Sequence, residues 1–137
     1  MNKKHITKIE SYVTVLEELN NRIRRAQHKA VLSVNKEMIL LYWDIGTTIL
    51  KQQKEQGWGA KIINRIAQDL TKSFPNMKGF SPRNLKYMRA FAEVYQDKQI
   101  VQQLVAQIPW GHNVRILDCV KSQQERLWYI NETIKNG

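Results

Sequence analysis

The sequence contains little cysteine, proline or glycine: one, three and six residues, respectively, among 137. A single cysteine cannot form an intramolecular disulfide, which excludes a disulfide-stabilised secreted domain and predicts a cytoplasmic protein. The longest apolar runs, such as Met38–Trp43, are far shorter than the roughly 20 residues that cross a bilayer. We therefore expect a soluble, folded chain without a secretion signal or membrane span, forming one domain over residues 1–137.

Motifs that carry catalysis or hold cofactors are also missing. His5, His28 and His112 are widely spaced, and Cys119 has no second cysteine with which to bind a metal. There is no glycine-rich phosphate loop, and no acidic residue is followed two positions later by lysine, a spacing common in metal-dependent nucleases. We predict no catalytic residue, no metal site, no cofactor and no enzyme activity of this chain by itself. Cys119 is expected to be a small buried thiol and Asp44 a half-buried carboxylate.

Acidic residues are outnumbered by basic ones, 12 against 22, which gives a net charge of +10. The excess is concentrated, because residues 61–95 hold seven basic and two acidic residues, a net charge of +5 and half of the total. Such a surplus repels itself unless an acidic partner shares the surface. The charge therefore predicts a polyanionic partner, with DNA favoured and RNA left open.

Apolar residues recur every three or four positions, and no convincing strand pattern is present. The segment 1–56 is predicted to be one long helix or a helix pair, with a break favoured at Ser33–Asn35, where cap-forming residues cluster. A turn is expected at Gly57–Gly59, followed by a helix-turn-helix-like region over 57–96 and short helices over 97–137. The predicted fold class is an all-α, multi-helix domain.

The middle region has the outline of a variant helix-turn-helix. One amphipathic helix ends at Phe74–Pro75, and Ser81–Pro82 is a strong start for the next. The connection is about seven residues, longer than the three or four of the common motif. The second helix of such a motif presents its first residues to the major groove, where Arg83 could read guanine and Asn84 adenine. The predicted nucleic-acid-binding residues are Lys61, Arg65, Lys78, Ser81, Arg83, Asn84, Lys86, Tyr87 and Arg89.

Several ordered blocks of sequence also resemble a known family. They are Leu41–Gly46, Gly57–Lys61, Phe74–Pro75 with Lys78–Ser81, Arg83–Leu85 with Tyr87–Arg89, and Ile108–Asn113. Together they are similar to the amino-terminal domain of the YhcG-like bacterial proteins (DUF1016). The resemblance implies a helical, DNA-binding module that precedes a PD-(D/E)xK nuclease domain, whose carboxylates and lysine are absent from this chain. Within it, Trp43, Trp58 and Trp110 are interpreted as packing and turn anchors.

Two functions are compatible with these patterns. The first is a non-catalytic DNA-binding module that targets or regulates a nuclease domain or a nuclease partner. The alternative is a protein-interaction or assembly module, in which the long amino-terminal helix pairs with another chain, including a second copy, as a coiled coil or bundle.

Overall fold

The computed structural model describes the backbone of residues 3–137 and the side chains from Tyr12 onward. Over this part the chain is all-α, with six α-helices and no strand, which confirms the predicted fold class. The helices are α1 (Lys3–Gln56), α2 (Ala60–Ser73), α3 (Pro82–Val94), α4 (Lys98–Gln103), α5 (Trp110–Cys119) and α6 (Gln123–Asn136). A 3₁₀ turn covers Val105–Gln107. The chain divides into two compact units, one ending at Val34 and the other running from Asn35 to Gly137.

Helix α1 continues through Ser33–Asn35, so the favoured break in the amino-terminal segment is wrong. No glycine or proline interrupts the helix before Gly46, and an asparagine inside a helix need not cap one. The Asn35 side-chain amide instead donates to the carbonyl oxygens of Ala106 and Ile108, at 3.1 and 3.0 Å. A residue read as a helix terminus therefore stabilises a distant, irregular segment of backbone.

The other helix boundaries follow local chemistry. Gly57 has a φ of +65°, a conformation that favours glycine, and lies directly after the end of α1. The side chains of Ser81, Asp97 and Ser122 cap α3, α4 and α6 by accepting hydrogen bonds from backbone N–H groups in the first turn. The predicted start at Ser81–Pro82 is thereby confirmed.

Residues 35–137 bury two hydrophobic clusters. The first cluster contains residues from the middle of α1 and from the helices α3, α4, α5 and α6. Its largest fully buried members are Ile39, Phe91, Tyr95, Ile108 and Ile130. The second joins α1, α2 and the start of α3, through Tyr42, Ile49, Ile63, Ala67, Phe80, Leu85 and Met88. The Trp110 ring packs against both clusters and meets the rings of Tyr42 and Phe91 edge-on, at 4.9 and 5.2 Å between centroids. Trp43 packs on the first cluster and donates its indole N–H to the Tyr95 carbonyl at 2.6 Å.

Two single residues differ from their expected burial. Cys119 is exposed at the end of α5, so the expectation of a buried thiol is wrong. Asp44 is also exposed, because it lies on the opposite side of α1 from the buried Tyr42 and Ile49. An apolar neighbour in sequence says little about burial in a helix, since successive residues point about 100° apart.

Helices α1 and α3 approach closely at Gly46, which is buried. A Cβ atom placed on Gly46 would overlap the carbonyl group of Met88 and lie 3.0 Å from the Ala92 Cβ. The overlapping group belongs to the α3 backbone, so no side-chain rotation could relieve it. The absence of a side chain at position 46 therefore sets the distance between the two helices.

We predict that Gly46→Ala lowers the free energy of unfolding by at least about 2 kcal/mol, because the α3 backbone must move away. Gly111→Ala is the matched control: Gly111 lies in α5, and an added Cβ there meets nothing within 4 Å. That change should raise stability by about 0.5–1 kcal/mol through the better helix propensity of alanine. Urea unfolding followed by circular dichroism measures both; equal losses in the two variants would contradict the close approach at Gly46.

Tyr95 lies in the first cluster with 1% of its surface exposed, and its hydroxyl has no hydrogen-bond partner among the described residues. Burial raises the pKa of Tyr95 to about 12. In the unfolded chain the phenol ionises near pH 10, so between about pH 10 and 12 the unfolded state holds fewer protons and stability falls as the pH rises.

Tyr95→Phe should therefore leave stability at pH 7 unchanged or slightly higher, because an unpaired buried hydroxyl is removed. It should also flatten the loss of stability between about pH 10 and 12. Denaturant midpoints measured across this range check both effects. A clear loss of stability at pH 7 would show that the hydroxyl has a partner in solution.

Candidate functional site

The start of α3 is fixed by its cap. The Ser81 hydroxyl accepts a hydrogen bond from the Asn84 backbone N–H at 3.1 Å, and Pro82 occupies the first helical position. Gly79, two residues before the cap, has a φ of +112°, and a Cβ atom there would also overlap the Tyr42 hydroxyl. The loop of residues 74–81 can therefore pass against α1 only with glycine at this position.

The Asn84 side chain connects three parts of the fold. Its amide N–H donates to the Gly79 carbonyl at 2.6 Å, and its amide oxygen accepts from the Trp110 indole N–H at 2.8 Å. Asn84 thus ties the loop and α3 to the first residue of α5. Both ends of its amide are engaged within the protein, whereas reading an adenine edge requires the same two atoms.

Arg83, Tyr87 and Asp118 form a polar chain on the surface. The Tyr87 hydroxyl lies 2.8 and 3.0 Å from the two carboxylate oxygens of Asp118, and donates to that group. The Arg83 guanidinium lies over the Tyr87 ring, 5.7 Å from its centroid. The Tyr87 side chain raises the pKa of Arg83 above its ordinary value, and the charge of Asp118 acts in the same direction. These contacts position an exposed arginine at the first turn of α3.

A shallow groove of about 500 Å³ runs beside these residues. Five of the nine predicted site residues line it: Lys78, Ser81, Arg83, Asn84 and Tyr87. The walls include Met38 and Tyr42 from α1 and Trp110 from α5, so they are aromatic as well as basic. The structure therefore brings part of the predicted set together at one place.

The other four predicted residues lie outside the groove. Lys86 is exposed on α3 and Arg89 is half-buried on the same helix. Lys61 and Arg65 are exposed on α2, where Arg65 lies 4.0 Å from the Asp69 carboxylate, one turn along. Such an exposed pair on one helix contributes little stability, and it offsets part of the positive charge of α2.

The cations near the groove are not offset in this way. Among residues 12–137, whose side chains are described, the ion pairs are Arg22–Glu18 and Arg65–Asp69. Lys78, Arg83, Lys86 and Arg89 therefore form no ion pair within that part of the chain. Their charges remain available to a partner.

Sequence reasoning missed Asp118 and the polar role of Trp110. Asp118 lies 31 residues from Tyr87, and nothing in its neighbourhood in the sequence marks it as a partner of Arg83 or Tyr87. Trp110 is predicted as a packing anchor, which it is, but the sequence does not show that its indole N–H holds Asn84. Only the tertiary packing of α5 against α3 creates either contact.

A second, larger groove of about 660 Å³ lies between α2 and the start of α3. It is lined by Lys72 and Asp69 from α2 and by Phe80, and of the predicted residues it contains Ser81 alone. Its charges are balanced, so it lacks the positive character of the first groove. Over the described residues, no cluster of three His, Cys, Asp or Glu side chains is placed to hold a metal, and no helix is long and apolar enough to span a membrane.

Comparison with known proteins identifies the family to which the chain belongs. The sequence-family model named "DUF1016 N-terminal domain" matches residues 18–137 of the chain. The chain is also 30% identical over 103 residues to a protein of Escherichia coli (strain K12) named "Putative nuclease YhcG". That match covers 71% of this chain but 26% of the length of the relative. No solved structure matches the chain. Because the family model covers nearly the whole sequence, the resemblance seen in the sequence blocks is confirmed, and the chain belongs to the DUF1016 N-terminal domain family.

Proposed function

We propose that this chain is a non-catalytic, cytoplasmic module that binds double-stranded DNA and targets or regulates a nuclease domain or nuclease partner. The binding surface, called here the α3 edge, consists of Lys78, Ser81, Arg83, Lys86 and Tyr87. The observation that carries the proposal is the placement of Lys78, Arg83 and Lys86 around the start of α3 without an ion pair among the described residues.

Electrostatics favour an anionic ligand at the α3 edge. The first turn of a helix carries a partial positive charge, because its backbone N–H groups point outward without helical partners. Exposed lysine and arginine side chains add full charges at the same end of α3. DNA phosphates bind such surfaces by releasing condensed counterions, which makes the affinity strongly dependent on salt.

The order of elements supports entry of α3 into the major groove. In a helix-turn-helix, the second helix contacts base edges with its first residues, and α2, the loop 74–81 and α3 follow that order. Arg83 is the residue best suited to read a base, since it is exposed and oriented by Tyr87 and Asp118. We assign Asn84 a positioning role, because its amide is held by Gly79 and Trp110. Lys61, Arg65 and Arg89 are assigned to phosphate contacts at the margin.

A nuclease connection fits the relatives of this chain. The curated protein that it matches is named "Putative nuclease YhcG", and the match covers about a quarter of that protein's length. A domain that supplies binding without chemistry is a reasonable neighbour for a catalytic domain that must reach a particular DNA. Under this proposal, affinity for DNA resides in this chain and cleavage resides elsewhere.

We predict that Lys86→Ala weakens binding to all duplex sequences and lowers the slope of log affinity against log salt by about one unit, for one lost phosphate contact. Fluorescence anisotropy with labelled duplex DNA between about 50 and 200 mM salt measures this slope. Lys135→Ala is the matched control, because Lys135 is an exposed lysine at the end of α6, outside the α3 edge.

The same titrations with single-stranded DNA and RNA test the choice of ligand. Tighter binding of RNA than of duplex DNA would overturn the proposal of a DNA-binding module. An equal fall in slope for Lys86→Ala and Lys135→Ala would indicate diffuse attraction to the whole surface. Absence of binding by the folded wild-type chain would remove the proposed function.

We predict that Tyr87→Phe lowers affinity for duplex DNA by about two- to tenfold, the value of one hydrogen bond, because the ring under Arg83 loses the hydroxyl that holds it to Asp118. The variant changes no charge, so its salt slope should equal that of the wild type. Anisotropy titrations supply both quantities, with thermal unfolding as the check on the fold. A changed slope would mean that Tyr87 acts through charge and not through positioning Arg83.

A further inference from the structure

The helix of the amino-terminal unit carries large apolar side chains that are exposed to solvent. Every residue from Tyr12 to Val34 is exposed, including Tyr12 at 68%, Leu19 at 49% and Ile23 at 55%. Scattered apolar residues on a surface are ordinary, whereas a regular series along one helix marks an interaction face. The proposed DNA-binding function makes no use of this segment.

The apolar residues repeat with the spacing of a coiled coil. Steps of four and three residues lead from Tyr12 through Leu16, Leu19, Ile23 and Ala26 to Ala30. Alternating steps of three and four give a period of 3.5, which keeps a stripe facing a partner helix along its whole length. These six residues are called the seam. The seam is large at its amino-terminal end and small at its carboxy-terminal end.

The gradient in size points to an antiparallel second copy. In an antiparallel pair, the two-fold axis can pass at the level of Asn21. A residue that lies a given number of positions before Asn21 in one copy then faces the residue that lies the same number of positions after Asn21 in the second copy. Leu19 then faces Ile23 of the second copy, Leu16 faces Ala26, and Tyr12 faces Ala30. Each large side chain at the ends meets a small one, which suits close packing between helices. A parallel pair would place Tyr12 against Tyr12 and Ala30 against Ala30.

We propose that residues 12–30 of two copies pair as an antiparallel two-helix coiled coil, with the two-fold axis at the level of Asn21. The partner is a second copy because the side-chain sizes along the seam are complementary to their own reversed order, as a symmetric interface requires. The pairing is independent of DNA binding and involves no residue of the α3 edge.

Sedimentation equilibrium of the full chain from about 10 μM to about 1 mM tests the pairing, since association depends on concentration. We expect a monomer–dimer equilibrium. Ile23→Glu should weaken association at least tenfold, because it places a charge in the seam, whereas Asn21→Glu, on the opposite side of the helix, should change it less than threefold. Circular dichroism verifies that both variants remain helical. A wild-type monomer at every concentration overturns the proposal.

Cross-linking tests the orientation. In a Cys119→Ser background, chains carrying Leu19→Cys are mixed with chains carrying Ile23→Cys and oxidised. Antiparallel pairing brings these two positions together, so the mixed disulfide should exceed either self-linked product. Predominant self-linking of each variant would show parallel pairing and overturn the proposal. A Tyr12→Cys chain mixed with Ala30→Cys repeats the test at the far end of the seam.

Discussion

The Trp110 side chain is the contact on which the candidate site depends. Its ring fills the junction between two hydrophobic clusters, and its indole N–H holds the Asn84 amide. Asn84 in turn fixes the loop that carries Lys78. The burial of one aromatic ring is thereby linked to the position of an exposed cation. Because an indole has one donor and a large apolar surface, tryptophan can serve the core and the site together.

Much of the fold follows from local chemistry in the sequence. The spacing of apolar residues and the helix-capping residues predicted the start of α3 at Ser81–Pro82 and the turn at Gly57. Each of these features depends on a few neighbouring residues. The break at Ser33–Asn35 was wrong, since the Asn35 amide has distant backbone partners that no local pattern reveals. Gly46 shows the same limit, because its role comes from the Met88 carbonyl on another helix.

The residues of the candidate site also differ in how far the sequence alone predicts them. Basic residues on one face of α3 were identifiable from helical spacing and charge alone. Asp118 could not be identified from the sequence in this way, because its partner Tyr87 lies on another helix. The sequence suggested Asn84 as a base reader by residue type, while the structure engages its amide with Gly79 and Trp110. Residue type thus predicts what a side chain can bind, and tertiary contacts determine whether its atoms are free to do so.

The two proposals depend on forces that respond differently to salt. Phosphate contacts at the α3 edge lose affinity steeply as salt rises, because each counterion released on binding gains less entropy when it enters a more concentrated salt solution. Apolar contacts along the seam are not weakened in this way, because they do not depend on charge. Rising salt should therefore release DNA while most of the pairing persists. Loss of both together would mean that DNA, and not the seam, brings two copies into proximity.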